Sequence, residues 1–119
     1  MLVDVGGPED RRACVEGAGR LLAVFWEPDG DLPVVVDARC PHGGAPLQRG
    51  WIEQGAIVCP FHRYRFSPVD GHCENSARLR LQVYPVERVD GRFVADVPLN
   101  PLGTGRYAPG ERSARPTPE

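Results

Sequence analysis

Apolar and polar positions divide this chain into short strands separated by turns. A run of six apolar residues, 21–26, is followed by residues 27–31, which contain Pro, Asp and Gly, and then by a second apolar run over 32–37. Short apolar runs on either side of a Pro/Gly/Asp cluster are typical of a β-hairpin. The pattern therefore predicts a hairpin that ends just before Cys40.

The rest of the chain shows similar spacing between apolar runs and turns. The segment 79–84 alternates apolar and polar residues, as a half-buried strand does. No segment of ten or more residues has a helical period, so we expect an all-β fold of antiparallel sheets with little helix. Segment 51–58 is predicted to form two short strands that turn at residues 54–55. Segment 64–66 is predicted to be a strand followed by a turn at residues 70–71. Segment 92–97 is predicted to be a strand that forms a hairpin across a turn at residues 90–91.

Composition limits the size and class of the protein. At 119 residues, with 41% hydrophobic and 25% charged residues, the sequence is large enough for one domain. No stretch approaches the roughly 20 apolar residues that cross a bilayer, and residues 1–10 lack the basic and apolar regions of a secretory signal. We therefore expect a soluble protein in a reducing cytoplasm. Residues 1–98 are predicted to form the domain, and residues 99–119, rich in Pro and Gly, a flexible tail or an arm laid over a partner subunit.

The charge of the chain is nearly balanced. A net charge of −2 gives no general affinity for nucleic acid. All fourteen basic residues are Arg, and four of them lie in or beside the segments that carry Cys and His: Arg39, Arg49, Arg63 and Arg65. These four are either ordinary solvated side chains or a basic rim that steers an acidic redox partner.

Two short Cys/His segments carry the candidate chemistry. They are Cys40-Pro-His42 and Cys59-Pro-Phe-His62, with sixteen residues between His42 and Cys59. Two thiolates and two imidazoles form a metal-ligand set, which fits tetrahedral zinc as well as an iron–sulfur cluster. A disulfide between Cys40 and Cys59 is a third interpretation, but it leaves the two His residues unexplained.

The pattern resembles the Rieske [2Fe-2S] family. The match extends through the segments 40–47 and 59–66, includes Gly50, and covers about residues 12–97. The resemblance implies a base of antiparallel sheets with a smaller cluster-binding lobe, here about residues 39–71. It also implies one [2Fe-2S] cluster, with one iron bound by the two Cys and the other by the two His: Cys40, Cys59, His42 and His62. Gly43 and Gly44 would let backbone N–H groups approach the sulfides.

The resemblance further implies a low reduction potential within the family. High-potential members carry an extra Cys in each loop and hydroxyl side chains that donate to cluster sulfur. Ala45 and Phe61 stand at the positions of those Cys residues, and Tyr64 and Phe66 at the hydroxyl positions. Phe66 can donate nothing, and Tyr64 is expected to pack. We therefore expect a ferredoxin-type Rieske centre.

Ligation by imidazole has two consequences. Two neutral imidazoles in place of thiolates leave the cluster less negative, which raises its potential above that of an all-Cys cluster. His42 and His62 are expected to bind iron through one ring nitrogen and to present the other N–H outward, as the exit for the electron. The potential is then expected to fall with pH in the alkaline range.

One residue departs from the family pattern. The residue after the second ligand His is usually Gly, and here it is Arg63. If the position needs a positive φ, Arg costs on the order of 1 kcal/mol there. The departure affects the expected loop geometry and leaves the ligand set unchanged.

The sequence favours an electron carrier over an enzyme. With His42 and His62 used as ligands, only His72 remains, so the two-His, one-carboxylate iron site of a Rieske oxygenase cannot be assembled from these residues. No Gly-x-Gly-x-x-Gly motif marks a nicotinamide or flavin site. The leading interpretation is a ferredoxin that passes single electrons from a flavin-dependent reductase to a terminal oxygenase. The alternatives are a small subunit of a larger reductase, such as nitrite reductase, and a zinc-binding interaction module.

Residues outside the two segments are predicted to have structural roles. Cys14 is expected to be a small apolar strand residue, and His72 and Cys73 surface residues of the lobe. Three aromatic residues are predicted to pack in the core: Trp26, Trp51 and Tyr84.

Overall fold

The computed structural model describes residues 1–26 and 32–100 and contains only strands and one short 3-10 helix in that part of the chain. The all-β prediction is confirmed. The strands are β1 (Leu2–Gly7), β2 (Asp10–Arg11), β3 (Cys14–Gly17), β4 (Arg20–Phe25), β5 (Val34–Asp37), β6 (Trp51–Glu53), β7 (Ala56–Val58), β8 (Arg65–Phe66), β9 (Val83–Tyr84), β10 (Val86–Val89) and β11 (Arg92–Asp96), with the 3-10 helix at Leu47–Arg49.

The strands form three antiparallel sheets. The first sheet has the order β10-β11-β1-β2, the second β3-β4-β5-β9, and the third β6-β7-β8. Every strand pair within them is antiparallel. The first two sheets form the base. The third sheet belongs to the lobe that the sequence predicted around residues 39–71.

The central strands of the second sheet, β4 and β5, are buried on both faces. On β4, Leu22 and Val24 join the core shared with the first sheet, while Ala23 and Phe25 join the core beneath the lobe. A strand covered on both faces carries a continuous apolar run, because neither face needs polar side chains. This burial explains why the run over 21–26 shows no alternation.

The core beneath the lobe joins the third sheet to the base. Its most completely buried large side chains are Phe66, Leu47, Ile57 and Leu81, each at most 2% exposed. Their burial removes most of their apolar area from water, worth about 1.5–3 kcal/mol for each side chain. The Cys/His segments therefore rest on a well-packed support.

The predicted turns in the lobe and the first sheet are confirmed where the structure describes them. Gln54 and Gly55 join β6 to β7 with φ of 51° and 76°, and Asp90 and Gly91 join β10 to β11 with φ of 51° and 82°. Two consecutive positive φ angles are those of a type I′ hairpin turn. The turn predicted at 27–31 lies outside the described residues.

The strand predicted over 79–84 is largely wrong. Only Val83–Tyr84 is a strand, and Arg80 makes a single bridge to His72. The chain bends here because the Leu81 N–H donates to the Gly71 carbonyl at 2.8 Å. A Cβ at Gly71 would lie 1.8 Å from the Leu81 carbonyl oxygen, so this close crossing requires glycine.

Strands β1 and β2 were not predicted from the sequence. β1 pairs with β11 and so joins the two ends of the domain. Its pattern is weak because Gly6 and Gly7 interrupt it, and the register shifts between Asp4 and Gly6. A β-bulge with glycine accounts for that shift, since Gly6 has φ of 117°.

The last described residues contact the base. The Asn100 backbone N–H donates to the Ala18 carbonyl at 2.8 Å, and its side-chain amide donates to the Gly19 carbonyl at 3.1 Å. The predicted boundary after residue 98 remains a prediction, and residues 101–119 of the predicted tail lie outside the described residues. Among the described residues, no helix has the length and apolar character needed to cross a membrane.

The three aromatic predictions differ in outcome. Tyr84 is 4% exposed and lies in the core, as predicted. Trp26 is half-buried, packs edge-on against Phe93 with ring centroids 5.7 Å apart, and donates its indole N–H to the Arg12 carbonyl. The core prediction for Trp51 is wrong, because this residue lies on the edge strand β6 with an exposed side chain.

Candidate metal centre

The two Cys/His segments form the tips of two neighbouring hairpins. In the first loop, the residue before Cys40, Arg39, bridges to Pro46. In the second loop, the residue before Cys59, Val58, pairs with Arg65 across β7 and β8. Each Cys therefore begins a loop immediately after a residue that pairs across the loop.

Backbone hydrogen bonds close the first loop. The Cys40 N–H donates to the Ala45 carbonyl at 2.8 Å, and the Gly44 N–H donates to the Cys40 carbonyl at 2.8 Å. The His42 N–H points at the Cys40 sulfur, 3.4 Å away. The two bonds between backbone groups close the loop without help from a side chain.

The second loop repeats the same pattern. The Cys59 N–H donates to the Tyr64 carbonyl at 2.9 Å, and the Arg63 N–H donates to the Cys59 carbonyl at 3.1 Å. Arg63 thus corresponds to Gly44 of the first loop. The φ angles agree with this correspondence, since Arg63 has φ of 56° and Gly44 has φ of 76°. The position does need a positive φ, and the chain tolerates Arg there.

The two thiols lie together at the base of the loops. Cys40 is 2% and Cys59 0% exposed, and both are free, so the structure does not form the disulfide considered from the sequence. Burial raises the pKa of the Cys40 thiol to about 12; the hydrogen bond from His42 N–H opposes this rise, and Cys59 and Cys73 add to it. A metal that binds there must displace the protons, because thiolate is the ligand form.

The two imidazoles lie side by side above the thiols. Their ring centroids are 4.9 Å apart, with the planes nearly perpendicular at 83°. His62 is exposed, whereas His42 is half-buried. The Nδ1 atom of His42 is buried and has no hydrogen-bond partner among the described residues. A buried ring nitrogen without a partner is costly unless something binds it.

These donors fit a centre with two ligands for each metal ion. Within residues 1–26 and 32–100, no group of three or more His, Cys, Asp or Glu is placed to hold a single ion. The orphaned His42 nitrogen and the paired buried thiols are the donor types that a mixed Cys/His cluster uses. The residues present therefore fit such a cluster.

Aromatic side chains of the second loop support the site. The Tyr64 ring stacks on His42, with ring centroids 3.9 Å apart and planes 15° from parallel. Phe66 is fully buried in the core beneath. A packing role for Tyr64 was predicted from the sequence, but its partner, the His42 ring, was not.

The Arg residues that could form a basic rim differ in their surroundings. Arg65 forms ion pairs with Glu74 at 3.2 Å and Glu53 at 3.9 Å, and only 24% of its side chain is exposed. Arg63 and Arg49 are exposed. Any steering by positive charge at this end depends more on these two residues than on Arg65.

The remaining Cys and His residues lie in different surroundings. Cys14 lies on β3 and is half-buried, as the sequence predicted. His72 is exposed, and its Nδ1 contacts Asp70 at 2.9 Å. The surface prediction for Cys73 is wrong, because this residue is 6% exposed and packs in the core with Cys40 and Cys59. Cys73 pairs with Phe66 across the lobe, and this pairing places the Cys73 side chain in the core.

Comparison with known families identifies the class of this fold and site. The Rieske [2Fe-2S] domain matches residues 4–85, which is more than half of the chain. The chain belongs to the Rieske [2Fe-2S] domain family.

Particular relatives include oxygenase components, a ferredoxin complex and a reductase subunit. The chain is 35% identical over 83 residues to the 3-chlorobenzoate-3,4-dioxygenase oxygenase subunit of Comamonas testosteroni, a match that covers 61% of this chain but only 19% of that protein. It matches a chain of the complex of reduced oxygenase and oxidized ferredoxin in carbazole 1,9a-dioxygenase, with a TM-score of 0.65, 28% identity, and coverage of 79% of this chain and 100% of that chain. The putative NADH-dependent nitrite reductase small subunit from Mycobacterium tuberculosis shares the fold, with a TM-score of 0.68, 24% identity, and coverage of 83% and 97%.

Proposed function

We propose that this protein is a one-electron carrier with a low-potential Rieske [2Fe-2S] centre. Cys40 and Cys59 would hold one iron, and His42 and His62 the other. The observation that carries the proposal is the buried Nδ1 of His42, which has no partner in the described part of the chain, beside two buried free thiols. When bound, the cluster supplies reversible one-electron chemistry.

The surroundings of the site support a potential in the lower part of the Rieske range. Ala45 is buried where a high-potential member has Cys, and Phe66 is fully buried where such a member has a hydroxyl. Tyr64 uses its ring to stack on His42. With fewer hydrogen bonds to sulfur, the reduced state is less stabilised. We expect a potential below about +100 mV.

The proposed partners are a flavin-dependent reductase as electron donor and a terminal oxygenase of the ring-hydroxylating type as acceptor. The full-length match to a chain from a complex of oxygenase and ferredoxin supports this proposal. We propose no enzymatic activity for the chain and a cytoplasmic location. The exposed His62, next to the exposed Phe61, offers a partner an approach to the site.

The experiment that tests the proposal is visible absorption and EPR spectroscopy of the purified protein, before and after dithionite. A red-brown protein with iron and sulfide, whose reduced form gives a rhombic EPR signal, is the expected result. The variant Cys59→Ser is expected to lose the colour, while Cys14→Ser, a thiol outside the site, keeps it. A colourless protein that contains stoichiometric zinc would overturn the proposal and leave a binding module.

A further inference from the structure

Tyr64 and His42 come from different loops, yet their rings lie face to face. The centroid separation of 3.9 Å and the angle of 15° describe a close parallel stack. The stack is therefore a side-chain link between the first loop and the second.

Tyr64 offers His42 a fixed surface. Its carbonyl accepts the Cys59 N–H at 2.9 Å, and its half-buried side chain packs against the core beneath the lobe. His42 has less support of its own, because its buried Nδ1 has no partner among the described residues. The imidazole is enclosed by the phenol on one face and by the His62 ring near its edge.

A parallel stack constrains the tilt of the imidazole plane. The stabilisation of an aromatic pair corresponds to a factor of about two to thirteen in the population of the stacked state. An aliphatic residue of similar size would fill the same volume but would not favour one ring plane. The constraint is therefore specific to a flat side chain at position 64.

We propose that Tyr64 is a positioning residue that holds the imidazole plane of His42 so that Nδ1 faces the interior of the site. This inference rests on the proposed function, because it concerns a ligand of the proposed centre. It goes beyond the packing role expected from the sequence. It assigns the effect to the ring of Tyr64 and not to its hydroxyl.

The test uses the full-length protein with its cluster, and the variants Tyr64→Leu and Tyr64→Phe. The first readout is the pair of imidazole nitrogen couplings, measured by pulsed EPR on the reduced protein. We expect Tyr64→Leu to change one of the two couplings and Tyr64→Phe to keep both. The second readout is the rate at which a chelator removes the cluster, which we expect to rise about two- to thirteenfold in Tyr64→Leu only.

Phe66→Leu is the matched control for general loosening of the lobe. Phe66 lies two residues from Tyr64 and is fully buried, so this variant also exchanges an aromatic ring for Leu. It is expected to lower stability and to leave both nitrogen couplings unchanged. If Tyr64→Leu does not fold, Tyr64→Met replaces it as the aliphatic variant.

The outcomes separate this inference from the proposed function. A wild-type protein without iron overturns the proposed function itself. A wild-type protein with the cluster overturns only the role of Tyr64 if the aliphatic variant retains both couplings. The role of Tyr64 is also overturned if Tyr64→Phe changes the couplings as much as Tyr64→Leu does, or if Phe66→Leu changes them equally.

Discussion

Arg63 occupies in the second loop the position that Gly44 occupies in the first. Both residues donate their backbone N–H to the carbonyl of the Cys four residues earlier, and both have a positive φ, 56° for Arg63 and 76° for Gly44. Only glycine adopts this conformation without steric cost. The first loop is therefore relaxed at this position, while the second stores strain.

The variant Arg63→Gly is expected to stabilise the protein. Glycine adopts the left-handed conformation without strain, which raises the free energy of unfolding by about 1–2 kcal/mol. The greater conformational freedom of Gly in the unfolded chain lowers that free energy by about 0.4–1 kcal/mol. The net effect is a stabilisation of roughly 0.5–1 kcal/mol, or a rise of about 3 °C in the thermal midpoint of the cluster-containing protein.

Arg63→Ala is the control for that change. It removes the same charged side chain but keeps a Cβ on a residue with φ of 56°. We expect its thermal midpoint to stay close to that of the wild type. A midpoint that rises equally in both variants would attribute the gain to lost charge and would contradict the strain argument.

Tyr84 and Asp37 form a short hydrogen bond inside the base. The Tyr84 hydroxyl donates to Asp37 Oδ1 at 2.6 Å. Burial raises the pKa of Asp37, and the Tyr84 hydrogen bond opposes that rise. Tyr84→Phe is expected to cost about 1.5–3 kcal/mol at neutral pH, because the half-buried carboxylate loses its donor.

A double-mutant cycle with Asp37→Asn checks this prediction. Asn keeps the shape of Asp but has no charge, so Tyr84→Phe in that background is expected to cost only about 1 kcal/mol. Urea unfolding supplies the four free energies. Equal costs in the two backgrounds would show that the charge of Asp37 plays no part.

Arg92 links two strands of the first sheet through carboxylates. It donates to Asp4 Oδ2 at 2.8 Å and to Asp10 Oδ2 at 3.2 Å. The hydrogen bond from Arg92 lowers the pKa of Asp4, with a further contribution from the Gly6 N–H, and those from Arg12 and Arg92 lower the pKa of Asp10. A lowered carboxyl pKa contributes stability above its ordinary value, and this contribution is lost as pH falls through the folded-state pKa.

Arg92→Gln is therefore expected to lower the urea midpoint at about pH 5 and to matter less at about pH 2.5, below the ordinary Asp pKa. The wild type loses more stability than the variant over this interval. Arg78→Gln, which removes an exposed arginine outside the first sheet, serves as the control. If Arg92→Gln lowered the urea midpoint by the same amount at both pH values, the ion-pair network would be excluded as the cause.

Much of the fold was predictable because its signals are local. The turns at Gln54–Gly55 and Asp90–Gly91 follow from residues that accept positive φ, and the all-β class follows from short apolar runs. The spacing of Cys and His identified the two loops, and the family resemblance assigned them a cluster. The sequence left open whether Arg63 needs a positive φ, and the structure has this φ.

The errors have a common physical cause. Cys73 is buried because Phe66 pairs with it across the lobe, and residues 79–82 leave strand geometry because Leu81 crosses Gly71. Both are contacts between separate segments of the chain, and the periodicity within one segment does not report them. The stack of Tyr64 on His42 is of the same kind, since it joins two loops.

Phe61 is the exposed apolar residue of the second loop. It lies between the two candidate ligands Cys59 and His62, and 63% of its surface is exposed. An exposed aromatic beside the proposed route for the electron is a suitable anchor for a redox partner. Phe61→Ser is expected to weaken binding to the proposed oxygenase partner by about tenfold or more, since burial of such a side chain is worth about 1.5–3 kcal/mol.

Val69→Ser is the matched control for Phe61→Ser. Val69 is 85% exposed on the same lobe but lies outside the two Cys/His loops. Affinity is measured by titration of each oxidised variant against the proposed oxygenase partner, after visible spectra have shown that the cluster content is unchanged. Val69 is the more exposed of the two residues. If binding depended only on exposed apolar surface anywhere on the lobe, Val69→Ser would reduce the affinity at least as much as Phe61→Ser does. A docking site centred on Phe61 instead predicts that Val69→Ser binds like the wild type while Phe61→Ser does not.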